Sequence, residues 1–274
     1  LPDLVPSSLA EIREMIRQID SRSASPPKLA WERLLPDAVA AEFPKAAHTG
    51  PFAYVLPEKI PVPADREFRK IVEDANRLLK RVPLREAPDP EAVAENLASE
   101  FPWMSQAVEM VRRNLVLAKR LGGTMALPPT VFVGPPGCGK SRFARRLAEI
   151  IDVPYTRLSG AGMTDNRILA GTARGWSSQN PSLPATLMMR SKIANAAIIL
   201  DEIDKAGGNS RNGRADMTLL NMLEKETSRR YFDEGLSAEI DISRIVWLFT
   251  ANDRSKIPPL LRSRLDFIEV GLPR

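Results

Sequence analysis

Apolar residues follow helical spacing over the first part of the chain, between stretches rich in proline. Residues 7–20 place Leu9, Ile12, Met15, Ile16 and Ile19 on one face, and residues 64–82 do the same with Phe68, Ile71, Val72, Leu78 and Leu79. Ser7 or Ser8 is suited to cap the first helix, and Asp65 the second. The pattern predicts a mainly helical N-terminal region, residues 1–95, whose work is recognition, assembly or spacing.

From about residue 96 the pattern changes to short apolar runs that alternate with helical stretches. The predicted strands are 130–134, 154–158, 196–201, 244–252 and 266–270, and the predicted helices are 102–123, 141–151, 183–195 and 216–227. Runs such as Ala197–Leu200 are apolar without alternation, which is typical of strands buried on both faces of a parallel sheet. Alternating strands and helices predict an α/β fold with three layers over residues 96–274.

Composition narrows the classes of function only slightly. The chain has 274 residues, of which 43% are hydrophobic and 27% charged, as in an ordinary globular protein. No apolar run approaches the roughly 20 residues that span a bilayer, so no membrane partner is expected. The net charge of +5 permits a nucleic-acid partner without requiring one, because the basic clusters are short and separate.

Two residue types occur once each, Cys138 and His48. A single cysteine excludes intrachain disulfides and multi-cysteine zinc sites, and it favours a reducing compartment, which we take to be the cytoplasm. His48 lies in a stretch rich in proline and alanine, and we interpret it as a loop residue rather than a catalytic one. Because the chain begins with Leu1, we interpret it as an excised or processed fragment.

The stretch VFVGPPGCGKS, residues 131–141, carries the clearest chemistry. It fits the phosphate-loop pattern G-x-x-x-x-G-K-[ST], with a predicted strand before it and a predicted helix after it. Glycines let backbone N–H groups form an anion cradle, and the start of the helix adds partial positive charge. Lys140 would reach the β- and γ-phosphates and Ser141 would bind Mg²⁺, whereas Cys138 serves as a small filler. The predicted nucleotide-binding residues here are Gly134, Pro135, Pro136, Gly137, Cys138, Gly139, Lys140, Ser141 and Arg142.

Polar residues follow two other buried strands. Asp201 and Glu202 come directly after the run 197–200, where Asp201 can order the water shell of a metal ion and Glu202 can polarise an attacking water. Asn252 follows the next strand, within reach of a γ-phosphate. Arg262 and Arg264 precede the last strand, and an arginine stabilises the charge that grows on a transferred phosphoryl group.

The segments GPPGCGKS, IILDEIDK, FTAND and PPLLRSRLDFIEV, in this order and spacing, resemble the core of AAA+ ATPases, and most closely the ATPase module of Lon proteases. The resemblance covers about residues 96–270 and little of residues 1–95. It implies a five-stranded parallel sheet, a homohexameric ring and ATP sites between subunits. It also implies ATP or ADP and Mg²⁺ as ligands. The family's helical lid would begin beyond the last residue of this chain, and no peptidase dyad lies within it.

The resemblance also implies roles for individual residues. Gly137, Gly139, Lys140 and Ser141 would hold phosphates, Asp201 would serve Mg²⁺, Glu202 would be the catalytic base, and Asn252 would be the polar sensor. Arg264, with Arg262 as the second candidate, would reach the ATP of a neighbouring subunit. Phe101, Trp103 and Met104 would pack against adenine, although all three also suit the core.

A further implication concerns polypeptide contact. Trp176 occupies the position of the family's aromatic pore residue, 25 positions before Asp201, with Ser177 in place of the usual aliphatic neighbour. Tyr231 and Phe232 are candidates for a second pore loop. The resemblance therefore predicts a Lon-like motor that pulls or remodels polypeptide, either as the ATPase part of an ATP-dependent protease or as an unfoldase whose downstream partner differs. Two alternatives remain, a nucleic-acid loader or remodeller and a nucleotide-gated scaffold that binds ATP but barely turns it over.

Overall fold

The computed structural model of this chain describes residues 50–163, 166–173, 179–206 and 214–273. Within these ranges the helices are α1 (Arg66–Ala75), α2 (Pro90–Glu100), α3 (Ser105–Arg120), α4 (Lys140–Ile150), α5 (Arg167–Ala170), α6 (Leu183–Ser191), α7 (Ala215–Leu223), α8 (Lys225–Ser228) and α9 (Pro259–Arg262). The strands are β1 (Phe52–Ala53), β2 (Val82–Pro83), β3 (Thr130–Val133), β4 (Tyr155–Ser159), β5 (Ala197–Asp201), β6 (Tyr231–Asp233), β7 (Ala238–Ile240), β8 (Val246–Ala251) and β9 (Asp266–Glu269). The helix predicted at 7–20 and His48 lie outside the described residues.

A five-stranded parallel sheet forms the centre, in the order β4-β5-β8-β3-β9. Every residue of β3, β5 and β8 is buried, whereas the edge strands β4 and β9 are partly exposed. This burial explains why the three inner strands are apolar without alternation. The five strands and the parallel sheet that the sequence and the family resemblance predict are confirmed.

Helices cover both faces of this sheet. On one face, Phe132, Ile199 and Leu248 share a core cluster with buried residues of α2, α3 and α4. Because successive strand residues point to opposite faces, Val131, Ile198 and Phe249 belong to the other face. Leu187 and Met188 of α6 and Leu219 of α7 are also buried and do not belong to the cluster on the first face. The result is the three-layer α/β core that was predicted.

The part of the N-terminal region that is described is helical where the sequence predicts it. Asp65 Oδ1 accepts the N–H of Phe68 at 2.9 Å, so the predicted cap is present at α1. A 3-10 turn, Asn76–Leu79, continues α1. No helix among the described residues is long and apolar enough to cross a membrane.

Hydrogen bonds join residues on the two sides of the predicted boundary at residue 95. Ala194 N donates to Pro83 O at 2.9 Å, and Asp241 N donates to Val55 O at 2.8 Å. Asn195 is fully buried, and its side chain bonds Arg85 N and O on one side and Met125 O on the other. The boundary itself stays a prediction.

Candidate functional site

The glycine-rich loop lies between β3 and α4 and depends on three glycines. Gly137 (φ 80°) and Gly139 (φ 94°) adopt the left-handed region that glycine occupies without strain. A Cβ on Gly134 would lie 2.1 Å from Val270 O, so this glycine lets the loop pass the end of β9. The pattern of glycines read from the sequence thus matches three separate requirements of the backbone.

The loop offers donors that fit phosphate oxygens. Among the described residues, the amides of Gly137 and Gly139 have no hydrogen-bond partner, and Phe143 N makes the first bond of α4, to Gly139 O. The N–H groups in the first turn of a helix lack intrahelical partners and favour anions. Lys140 is buried, and its Nζ donates to Gly134 O at 2.7 Å and Pro135 O at 2.8 Å. This arrangement fits a polyphosphate.

The two acidic residues stand where β5 ends. Asp201 is 5% exposed, and its Oδ1 accepts from Thr250 Oγ1 at 3.0 Å while its Oδ2 pairs with Arg157 Nε at 2.8 Å. Glu202 adopts a left-handed conformation (φ 56°), and its N–H donates to Thr250 Oγ1 at 3.0 Å. Carboxylate and hydroxyl oxygens are ligands that suit Mg²⁺, and the binding of a metal ion by Asp201 and Ser141 stays a prediction.

Asn252 connects the loop to the acids. Strand β8 lies between β3 and β5, so the carboxyl ends of all three strands meet at one edge of the sheet. Asn252 Oδ1 accepts a hydrogen bond from Lys140 Nζ at 3.1 Å. Asn252 lies two residues after Thr250, whose hydroxyl donates to Asp201. The structure therefore brings together Lys140, Asp201, Glu202 and Asn252, as the sequence predicts.

Glu202 has a cation beside it. Lys205 Nζ donates to Glu202 Oε1 at 2.6 Å, and this hydrogen bond is the main reason that the pKa of Lys205 is raised. The Glu202 side chain is 36% exposed. Water can therefore reach this carboxylate, and its role as the base stays a prediction.

The three residues predicted near adenine occupy different environments. Phe101 and Met104 are buried in the core cluster, where Phe101 contacts the ring of Phe143 edge-on with 5.2 Å between centroids. Trp103 is half-buried, and its Nε1 donates to Cys138 O at 2.9 Å, which ties it to the loop. The Arg142 guanidinium lies 5.5 Å from the centre of the Phe101 ring. Contact with adenine stays a prediction, and Trp103 is the one of the three whose side chain is hydrogen-bonded to the loop.

Arg262 and Arg264 lie at and just after the end of α9. Arg264 donates to Glu224 Oε2 through Nε at 3.0 Å and through its terminal nitrogen at 2.7 Å, and both side chains are about 40% exposed. Arg262 is half-buried and forms no ion pair within the part of the chain that the structure describes. Neither arginine contacts Lys140 or the acids, and the prediction that one of them serves a neighbouring subunit stays open.

Of the predicted pore residues, Trp176 and Ser177 lie outside the described residues. Tyr231 and Phe232 belong to β6, which forms a hairpin with β7. Phe232 is 57% exposed, whereas Tyr231 is 8% exposed and burial raises the pKa of its phenol. The surface of the hairpin therefore presents Phe232, and the pore role stays a prediction.

Three residues at this site were not identified from the sequence: Arg157, Thr250 and Asp204. Arg157 is a cation in an edge strand, and Thr250 is a polar residue within a buried apolar strand, which is the pattern that could have identified it. Asp204 Oδ2 accepts from the N–H groups of Asn252 and Asp253, at 3.1 Å each. Thr250 and Asp204 fall within the segments FTAND and IILDEIDK, but their partners lie 48 or 49 residues away in sequence, so the local pattern does not reveal these contacts. Arg157 likewise pairs with a residue of another strand.

Comparison with known proteins agrees with this geometry. Residues 130–271 match the family described as "ATPase family associated with various cellular activities (AAA)". The mitochondrial Lon protease homolog of Caenorhabditis briggsae is 35% identical over 164 residues, which cover 60% of this chain and 17% of the relative. Lon protease 4 of Sorangium cellulosum (strain So ce56) is 29% identical over 232 residues, which cover 79% of this chain and 29% of the relative. The chain thus spans less than a third of the length of these relatives.

A solved structure agrees at the level of the fold. The S. cerevisiae Hsp104:casein complex in its extended conformation matches with a TM-score of 0.53 and 18% identity, covering 66% of this chain and 35% of that one. The family match spans more than half of the chain and contains the glycine-rich loop, both acids and Asn252. The chain belongs to the AAA family of ATPases, and its ATPase module is Lon-like.

Proposed function

We propose that this chain is the ATPase part of a motor that unfolds, translocates or remodels polypeptide, as part of an ATP-dependent protease or beside a separate peptidase. The observation that carries the proposal is the convergence of Lys140, Asp201, Glu202 and Asn252 at one edge of the sheet. The names of the matched relatives support the choice of substrate, because they are Lon proteases and a complex of Hsp104 with casein.

In this proposal the residues divide the work of hydrolysis. Lys140 and the loop amides bind the triphosphate and counter the charge that grows in the transition state. Ser141 and Asp201 would hold Mg²⁺, which supplies further positive charge to the phosphates when bound. Glu202 would accept a proton from the attacking water, and Asn252 would orient that water and the γ-phosphate.

The proposal includes a homohexameric ring with ATP sites between subunits and Arg264, or Arg262, reaching the neighbour's ATP. Exposure of Arg264 and Glu224 supports this, because an exposed ion pair exchanges partners at little cost. Phe232 on the hairpin would touch the polypeptide, with Trp176 as a second contact. We place the protein in the cytoplasm, in line with its single cysteine.

Two assays test this function. We expect E202Q to bind ATP like the parent and to lose nearly all hydrolysis, whereas E95Q, which changes an exposed glutamate on α2, should hydrolyse ATP at the parental rate. If E202Q hydrolysed ATP as fast as the parent, Glu202 would not be the base.

The second assay identifies the substrate. We expect an unfolded protein such as casein to stimulate hydrolysis by the full chain. Stimulation by nucleic acid alone, with binding that weakens steeply as salt rises, would instead favour the loader or remodeller.

A further inference from the structure

Asp204 connects the two strand ends that carry the chemistry. It lies in the 3-10 turn Ile203–Lys205, directly after the acids. Its Oδ2 accepts from the N–H groups of Asn252 and Asp253, at 3.1 Å each, across 48 and 49 residues of sequence. Its Oδ1 is buried and has no hydrogen-bond partner among the described residues. A half-buried carboxylate thus accepts hydrogen bonds from the backbone of the segment that carries Asn252.

These two N–H groups have particular need of an acceptor. The regular part of β8 ends at Ala251, so Asn252 and Asp253 have left the hydrogen-bond ladder of the sheet. Both residues are partly buried, where an N–H without a partner is costly, and hydrogen bonds to a charged acceptor are stronger than neutral ones. The carboxylate of Asp204 therefore holds the chain in place as it leaves β8.

Thr250 makes the opposite connection, from β8 to the acids. Thr250 is 1% exposed, and its hydroxyl donates to Asp201 Oδ1 and accepts the N–H of Glu202, both at 3.0 Å. The turn after β5 and the end of β8 are thus joined in both directions by side chains. Movement of one segment has to displace the other, or break these hydrogen bonds.

We propose that Asp204 is a positioning residue for ATP hydrolysis that acts through Asn252. By fixing the backbone at Asn252, it keeps the amide Oδ1 beside Lys140 Nζ, where the structure places it at 3.1 Å. Asp204 itself does not touch the nucleotide. The inference rests on the role proposed above for Asn252, and it adds the residue that holds Asn252 in place.

The test is a double-mutant cycle on the full chain, measured as steady-state ATP hydrolysis and as binding of a fluorescent ADP. We expect D204A to lower kcat by about 10- to 100-fold, in the range for one misplaced catalytic group. Affinity for the fluorescent ADP should change less than about threefold, because the loop and Lys140 remain. In the N252A background, D204A should change kcat by less than about threefold, since the residue through which it acts is already absent.

D253A is the matched control. It removes a carboxylate one residue along the same segment whose bonds are local, to Ser255 N and Oγ, and it leaves the Asp253 N–H in place. We expect its kcat to stay within about twofold of the parent. D204N retains one acceptor oxygen and should fall between the parent and D204A, which keeps the test valid if D204A folds poorly.

Two results would overturn the proposal. One is that D204A lowers kcat as much in the N252A background as in the parent, which would show that Asp204 acts independently of Asn252. The other is an unchanged kcat in D204A and D204N with only the free energy of unfolding reduced, which would make Asp204 a structural residue. Parental hydrolysis by N252A alone would instead refute the role of Asn252 in the proposed function.

Discussion

The substitution G134A tests the close contact between the glycine-rich loop and the end of β9. The added Cβ would lie 2.1 Å from Val270 O, 3.1 Å from Val270 C and 3.3 Å from Cys138 Sγ. Carbon atoms in proteins do not approach backbone oxygens closer than 3.0 Å in this way, so the Val270 carbonyl has to retreat by about 0.9 Å. The same residue donates its N–H to Val133 O at 2.7 Å, so its retreat strains the pairing of β9 with β3.

The expected cost follows from these two effects. Overpacking of a well-packed site costs about 1–3 kcal/mol, and loss of one backbone hydrogen bond adds about 1 kcal/mol. The sum is a loss of about 2–4 kcal/mol in the free energy of unfolding. For a chain of this size, each kcal/mol corresponds to about 2–4 °C in Tm, so we expect Tm to fall by about 5–15 °C.

Thermal unfolding followed by circular dichroism measures this change, with two alanine controls. Gly271 has no atom within 4 Å of its Cβ position and no positive φ, so G271A should leave Tm within about 2 °C of the parent. Gly137 also has open space but a φ of +80°, so G137A should cost only the strain of about 1–2 kcal/mol. If G134A had the same Tm as G271A, the close contact between the loop and the end of β9 would be wrong.

Two further predictions concern residues outside the loop. If Arg264 serves the neighbouring site, we expect R264A to lower ATP hydrolysis at least about 100-fold. The exposed pair with Glu224 contributes under about 1 kcal/mol, so R264A should change the free energy of unfolding in urea by no more than that. Loss of ATP hydrolysis in R262A but not in R264A would assign the role to Arg262. Burial raises the folded-state pKa of Tyr231, so its contribution to stability is complete below the unfolded pKa of about 10 and is lost as pH rises above it. Urea unfolding at pH 8 and pH 11 should therefore show a larger loss in the parent than in Y231F, and equal losses would contradict the burial of this phenol.

Local chemistry made much of the site predictable. Gly137 and Gly139 need positive φ, Lys140 and Ser141 follow at fixed spacing, and Asp201 and Glu202 come directly after a buried strand, so neighbours in sequence reveal all of them. The inner strands were identified for the same reason, because burial on both faces leaves no polar position to alternate with. Asn252 was found because a polar residue follows an apolar run.

Contacts between distant residues were not predictable in this way. The burial of Phe101 and Met104, the exposure of Phe232 beside the buried Tyr231, and the pairing of Arg157 with Asp201 each depend on what packs against them. A pattern of period two or 3.6 gives the face of an element but not the identity of its neighbour.

The sequence by itself determined the elements, the phosphate-binding loop and the pair of acids, because backbone conformation and local burial act over a few residues. Only the tertiary structure decided that β8 lies between β3 and β5, and that Thr250 and Asp204 join their ends. Those hydrogen bonds link residues 48 or 49 positions apart, and the bond from Lys140 to Asn252 spans 112. Their geometry follows from the order of strands in the sheet, which depends on the packing of the whole core.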